Sequence, residues 1–169
     1  MAQVQLRMQL NGADVEAWVP EHRTLLDVLR DEIGATEVKN GCGEGVCGTC
    51  TVLLDDVPVS ACLLLAVQAE GRRVTTVRGL AVDPGGLHPL QQSFLRHGAA
   101  QCGFCTPGML LAAVDLLRRS PRPSRDAIRQ AVAGNLCRCT GYTKIVDAIE
   151  EYATQPDGDP GPAAAEVVP

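Results

Sequence analysis

The sequence predicts an α+β chain in two parts: a small strand-rich unit, then four short helices. Three observations predict it. Apolar residues alternate with period two in the first twenty residues and short strand patterns recur up to residue 80, and helical periodicity takes over after Asp83-Pro84-Gly85-Gly86. Eight cysteines divide four and four between the two parts.

The elements follow in order. Val4, Leu6, Met8 and Leu10 alternate, Asn11-Gly12 supplies a tight turn, and Val15, Ala17 and Val19 alternate again, the pattern of a β-hairpin. Thr24 is placed to cap a helix whose apolar face uses Leu25, Leu26, Val28, Leu29 and Ile33, closed by Gly34. A loop rich in glycine and cysteine comes next. Thr49 to Leu54 reads as a strand, Asp55-Asp56 as a turn, and Val57 to Ala61 and Arg73 to Arg78 as further short strands. Residues 81–86 read as a linker. In residues 87–154 the expected helices are His88 to His97, Pro107 to Arg119, Ser124 to Ala133 and Tyr142 to Ala153. Short helices with short connections predict a four-helix bundle. Residues 155–169, rich in Pro, Gly, Ala and acidic side chains, predict a disordered tail.

Composition narrows the function. Of 169 residues, one is Trp, two are Tyr and two are Phe, so each small unit buries limited area and a metal or disulfide staple becomes attractive. The segment MAQVQLRMQLNG has no continuous apolar stretch, which argues against a secretory signal or a spanning helix. The expected compartment is cytoplasmic, where thiols stay reduced and serve metals or redox chemistry. A net charge of -5 argues against nucleic acid as a partner. The basic run Arg118, Arg119, Arg122 and Arg125 reads as a solvated helix end and loop. His22, His88 and His97 form no ligand cluster and read as ordinary surface or helix-end residues.

The stretch NGCGEGVCGTC, residues 40–50, carries two competing signals. Gly43, Gly45 and Gly48 match a dinucleotide-binding spacing, and Cys42, Cys47 and Cys50 match C-x4-C-x2-C. A dinucleotide fingerprint follows a strand and opens a helix, whereas these glycines follow a predicted helix and precede a strand. The nucleotide reading is rejected. With Cys62 as a distant fourth ligand, the first quartet matches plant-type 2Fe-2S spacing, and the glycines allow the tight curl that three ligands from one loop require. The second quartet pairs Cys102 and Cys105 with Cys137 and Cys139 across about thirty residues of chain. From spacing alone a four-thiolate zinc site stays open there, while C-x4-C-x2-C is unusual for zinc. No nucleophile–base pair or paired-carboxylate site stands in credible context, so substrate chemistry is expected on another chain.

The segments GCGEGVCGTCTV, SACLLLAVQAEG, QCGFCTPGMLLAA and GNLCRCTGYTKIVDAI together resemble the small iron–sulfur subunit of the molybdenum hydroxylase (xanthine dehydrogenase) family, from about Gln3 to Ala153. The resemblance implies a plant-ferredoxin-like β-grasp domain followed by a helical-bundle domain, each with one 2Fe-2S cluster. It implies a heterotrimer, or a dimer of heterotrimers, with a large subunit holding molybdopterin as its cytosine dinucleotide and a medium subunit holding FAD. By similarity, electrons leave molybdenum for the Cys102/Cys105/Cys137/Cys139 cluster, pass to the Cys42/Cys47/Cys50/Cys62 cluster, and reach the flavin. By similarity too, Gln101 hydrogen-bonds the molybdopterin and Cys139 lies close to the pterin. A surface polar residue is the plainer reading of Gln101. A free-standing two-cluster carrier and a zinc-stabilised interaction module are the competing functions.

Overall fold

A computed structural model describes residues 3–81 and 86–155. Most of the expected linker, and the expected tail past Gln155, lie outside the described residues. Strands β1 (Gln3–Leu10) and β2 (Ala13–Pro20) pair antiparallel with Leu6 opposite Ala17. Their turn places Asn11 at φ 53° and Gly12 at φ 84°, the doubly left-handed geometry that follows the natural twist of a hairpin. Leu6, Met8 and Leu10 share one face of the strand and are buried there.

Thr24 caps α1 (Leu25–Asp27) by accepting the Asp27 amide at 3.1 Å. The helix then widens into a π turn over Val28–Glu32, a change that apolar spacing alone does not reveal. Strands β3 (Thr51–Leu54), β4 (Val57–Ser60) and β5 (Arg73–Thr75) complete a mixed sheet in the order β2-β1-β5-β3-β4. Only β1 and β5 run parallel. A parallel neighbour demands a long crossover. Here the connection contains β2, α1, the cysteine loop, β3 and β4.

Two strand boundaries differ from expectation. The strand expected over Thr49 to Leu54 starts at Thr51, because the Thr51 amide and hydroxyl both bond back to the Gly48 carbonyl, at 3.2 and 2.7 Å, and close the loop. The strand expected over Arg73 to Arg78 stops at Thr75. Thr76 is buried, donates to Glu37 Oε1 at 2.8 Å, and caps a 3-10 turn over Val77–Leu80.

Helices α2 (Pro89–Arg96), α3 (Thr106–Arg119), α4 (Arg125–Val132) and α5 (Thr143–Thr154) form the second half. Ser124 caps α4 as its sequence position predicts, accepting the Ala127 amide at 3.2 Å. His88 does sit at a helix end, accepting the Leu90 amide at 3.1 Å, but it is buried beside Tyr152 and not on the surface.

Each half has its own core. Leu6, Leu25, Leu29, Val52 and Leu54 meet in one, and Phe94, Met109, Val114, Ile128 and Ile149 in the other. Leu53 points away from its neighbours on β3 and joins the helical core, so α3 covers the second face of the sheet at β3 and β4. The solvated reading of Arg118 is therefore corrected. Its guanidinium reaches Asp56 at 3.0 Å, with 13% of the side chain exposed, and ties the end of α3 to the β3–β4 turn. Arg119 and Arg125 are also paired, with Asp115 and with Asp147 and Glu150 respectively.

Candidate metal centres

The first cysteine loop leaves the π turn and ends where Thr51 bonds back to Gly48. Its curl puts the Glu44 amide 3.3 Å from Cys42 Sγ, and Thr49 Oγ1 3.2 Å from Cys47 Sγ. Cys42 and Cys47 are hydrogen-bonding neighbours. Cys50 and Cys62 form a second such pair, brought together by the Ala61 amide on the Cys50 carbonyl at 3.3 Å, and both lie in the core. Cys47 lies near enough to Cys50 for its charge to act on that thiol, which links the two pairs into one quartet.

The second quartet forms where the loop before α3 meets the loop between α4 and α5. Cys139 Sγ lies 3.5 Å from Cys102 Sγ at the exposed edge, while Cys105, buried at the start of α3, pairs with Cys137. The Thr140 hydroxyl is 3.2 Å from Cys137 Sγ. Tyr142 braces this loop, its hydroxyl accepting the Cys137 amide at 2.9 Å and donating to the Asn135 carbonyl at 3.1 Å. Those bonds accompany a left-handed backbone at Tyr142, φ 67°, uncommon for a bulky residue.

Both quartets thus consist of two close thiol pairs. A binuclear iron–sulfur core takes two terminal thiolates on each iron, and the two-plus-two arrangement fits that donor set.

Charge at the thiols differs by position. The Glu44 amide, with Cys47 beside it, holds the Cys42 thiol down to about 6. Burial pushes Cys50 up to about 11 and Cys105 up to about 12. Burial also acts to raise Cys137, but hydrogen bonds from Thr140 outweigh it and the thiol is lowered. Cys139 is raised by its hydrogen bond with Cys102. Metal ligation requires thiolates, so loading the metal-free protein is expected to release protons from Cys50 and Cys105 at neutral pH. Apparent affinity should then rise as pH climbs from neutral toward those values, because binding that releases protons is favoured as proton activity falls. Reconstitution titrations with pH-stat readout check this; uptake independent of pH and without proton release would contradict it.

Residues 8–76 match the model of the 2Fe-2S iron–sulfur cluster binding domain, and residues 76–150 that of a second 2Fe-2S binding domain. The chain is 46% identical to the nicotine 6-hydroxylase small subunit of Paenarthrobacter nicotinovorans, across 86% of this chain and 87% of the relative. It is also 46% identical to the nicotinate dehydrogenase small FeS subunit of Eubacterium barkeri, across 92% and 98%. The chain belongs to the small iron–sulfur subunits of the molybdenum hydroxylase family. Its fold is similar to the crystal structure of quinoline 2-oxidoreductase from Pseudomonas putida 86, with a TM-score of 0.86 and 48% identity over 89% of this chain and 93% of that one.

In this small subunit Gln101 and Cys139 are both exposed, Gln101 preceding the Cys102 that meets Cys139. Close along the chain to Cys102 and Cys139, Phe104 and Leu136 are exposed apolar residues, 45% and 54%, the Leu136 amide bonding to the Cys47 carbonyl of the first loop. A second exposed apolar pair, Val46 and Leu63, flanks the first quartet. Among the described residues no helix is long and apolar enough to cross a membrane. Sequence reasoning overlooked Asn135, Gly108 and Tyr142. The GNLCRCTGY segment contains two of them: Tyr142 bonds within the segment, to Cys137 and Asn135, whereas Asn135 reaches the distant Gly48 carbonyl, which nothing local marks.

Proposed function

We propose that the chain relays electrons one at a time between two larger partners of a molybdenum hydroxylase. In this reading residues 1–80 and 87–154 are two cluster-binding domains. Cys42, Cys47, Cys50 and Cys62 ligate one 2Fe-2S cluster, and Cys102, Cys105, Cys137 and Cys139 the other. Such a cluster, when bound, takes up and releases a single electron. The protein's contribution is to hold the thiolates in pairs, aim amide N–H groups at sulfur, and exclude water from Cys50, Cys62 and Cys105. Electrons enter at the exposed Cys102–Cys139 edge, where Gln101 and Cys139 face the molybdopterin, as the cytosine dinucleotide, of a large subunit. They leave through the first quartet toward the FAD of a medium subunit. The complex is a heterotrimer, or a dimer of heterotrimers, working in the cytoplasm.

The observation that carries this reading is the two-plus-two thiol arrangement in both halves, each with an exposed apolar rim beside it. Rims of this kind suit permanent partners. Purification of the native assembly tests it: the expected product is brown, carries iron and acid-labile sulfide, and contains molybdenum and flavin in companion chains. A brown chain that purifies alone would favour a free-standing carrier. A colourless chain holding zinc would reject the cluster assignment.

A further inference from the structure

Two neighbouring residues of the helical half reach across to the first cysteine loop. Asn135, 5% exposed, donates from Nδ2 to the Gly48 carbonyl at 2.8 Å. The next amide, that of Leu136, donates to the Cys47 carbonyl at 2.9 Å. Helix α3 passes the same point so closely that a Cβ on Gly108 would stand 2.2 Å from the Gly48 oxygen and 2.7 Å from Asn135 Nδ2. Tyr142 secures the donor segment through its bonds to Asn135 and Cys137.

The consequence lies in connectivity. Cys47 belongs to one quartet and Cys137 to the other. A path runs from Cys47 Sγ through its own Cβ, Cα and carbonyl, across one hydrogen bond, and along Leu136 to Cys137 Sγ. Whether that hydrogen bond holds depends on how the loops are registered, and the buried amide of Asn135 sets the register. The Gly48 carbonyl also accepts from Thr51, so removing Asn135 leaves the loop's internal closure intact and deletes the tether across.

We propose that Asn135 is a positioning residue for electron passage between the quartets: it keeps the Leu136 amide on the Cys47 carbonyl, and that hydrogen bond is the electronic link between the two centres. This rests on the reading that each quartet holds a 2Fe-2S cluster. The step it serves moves one electron and no atom or proton; the centre at the Cys102 quartet is oxidised by one electron as that at the Cys42 quartet is reduced by one.

The test uses the full chain in its native complex, with both clusters chemically reduced and thus paramagnetic. Low-temperature electron paramagnetic resonance reads the magnetic splitting between them, and flash photoreduction reads the inter-cluster transfer rate. Asn135→Ala should keep both clusters and their iron content, lose the through-bond part of the splitting and slow transfer. If that variant does not hold both clusters, Asn135→Asp carries the same test, since it keeps the side chain's shape but offers no donor. A residue with a merely structural role would lower the melting temperature and leave the splitting as it is. Splitting absent from the unmodified complex, or unchanged in any variant retaining both clusters, overturns the proposal. Absence of iron in the unmodified protein would instead overturn the cluster reading beneath it.

Discussion

Replacing Gly48 by alanine is expected to destabilise the loaded protein by about 2–5 kcal/mol, from a left-handed backbone worth about 1–2 and overpacking worth about 1–3. Gly48 has φ +67°, and an added Cβ would stand 2.5 Å from the Gly134 carbonyl oxygen and 2.5 Å from Asn135 Nδ2. The first of these is backbone and cannot rotate away, so the two halves must separate locally. For a chain of this size the loss corresponds to a fall in melting temperature of about 4–20 °C. Gly43→Ala is the matched control. Its φ is +70° but nothing lies within 4 Å of the added carbon, so only the backbone penalty of about 1–2 kcal/mol should appear. Thermal unfolding of both variants checks the difference; equal melting temperatures would mean that the close approach at Gly48 contributes nothing.

Cys105→Ser should remove about half of the iron and lower the melting temperature by about 8–16 °C, taking about 4 kcal/mol for a site filled a thousandfold above its Kd. Serine keeps the size of this buried side chain and loses the thiolate that closes the quartet. A ligand that binds the folded chain and not the unfolded one stabilises by its binding free energy, and a quartet reduced to three free thiols loses that contribution. Cys47→Ser should behave alike in the other half. Iron analysis with thermal unfolding decides the matter. Half the iron lost with melting unchanged would show that the two apolar cores suffice alone.

Local chemistry made much of this chain legible. Asn11-Gly12 marks a turn because few residue pairs tolerate two positive φ angles in succession. Thr24 and Ser124 mark helix starts because their side chains satisfy an amide three residues on. The cysteine spacings are legible for the same reason, since three ligands from one loop need a fixed number of residues between them. The strand break at Thr76 was not legible, because it depends on Asn11 and Glu37, distant in sequence. Nor was the burial of His88, or the Arg118–Asp56 pair, where residues that read as solvent-facing meet across the two halves.

Sequence by itself determined the order of elements and the partition of eight thiols into two sets, which follow from short-range spacing, and its four cysteine-bearing segments carried the resemblance to the family. Tertiary structure alone decided which thiols pair, which edge of each quartet faces outward, and how one loop touches the other. Those outcomes depend on packing α3 against β3, and on Asn135 and Leu136 bonding to Gly48 and Cys47, contacts between segments far apart along the chain. Spacing along a chain constrains only what neighbours can do; close approach between remote backbones needs the whole fold to bring them there.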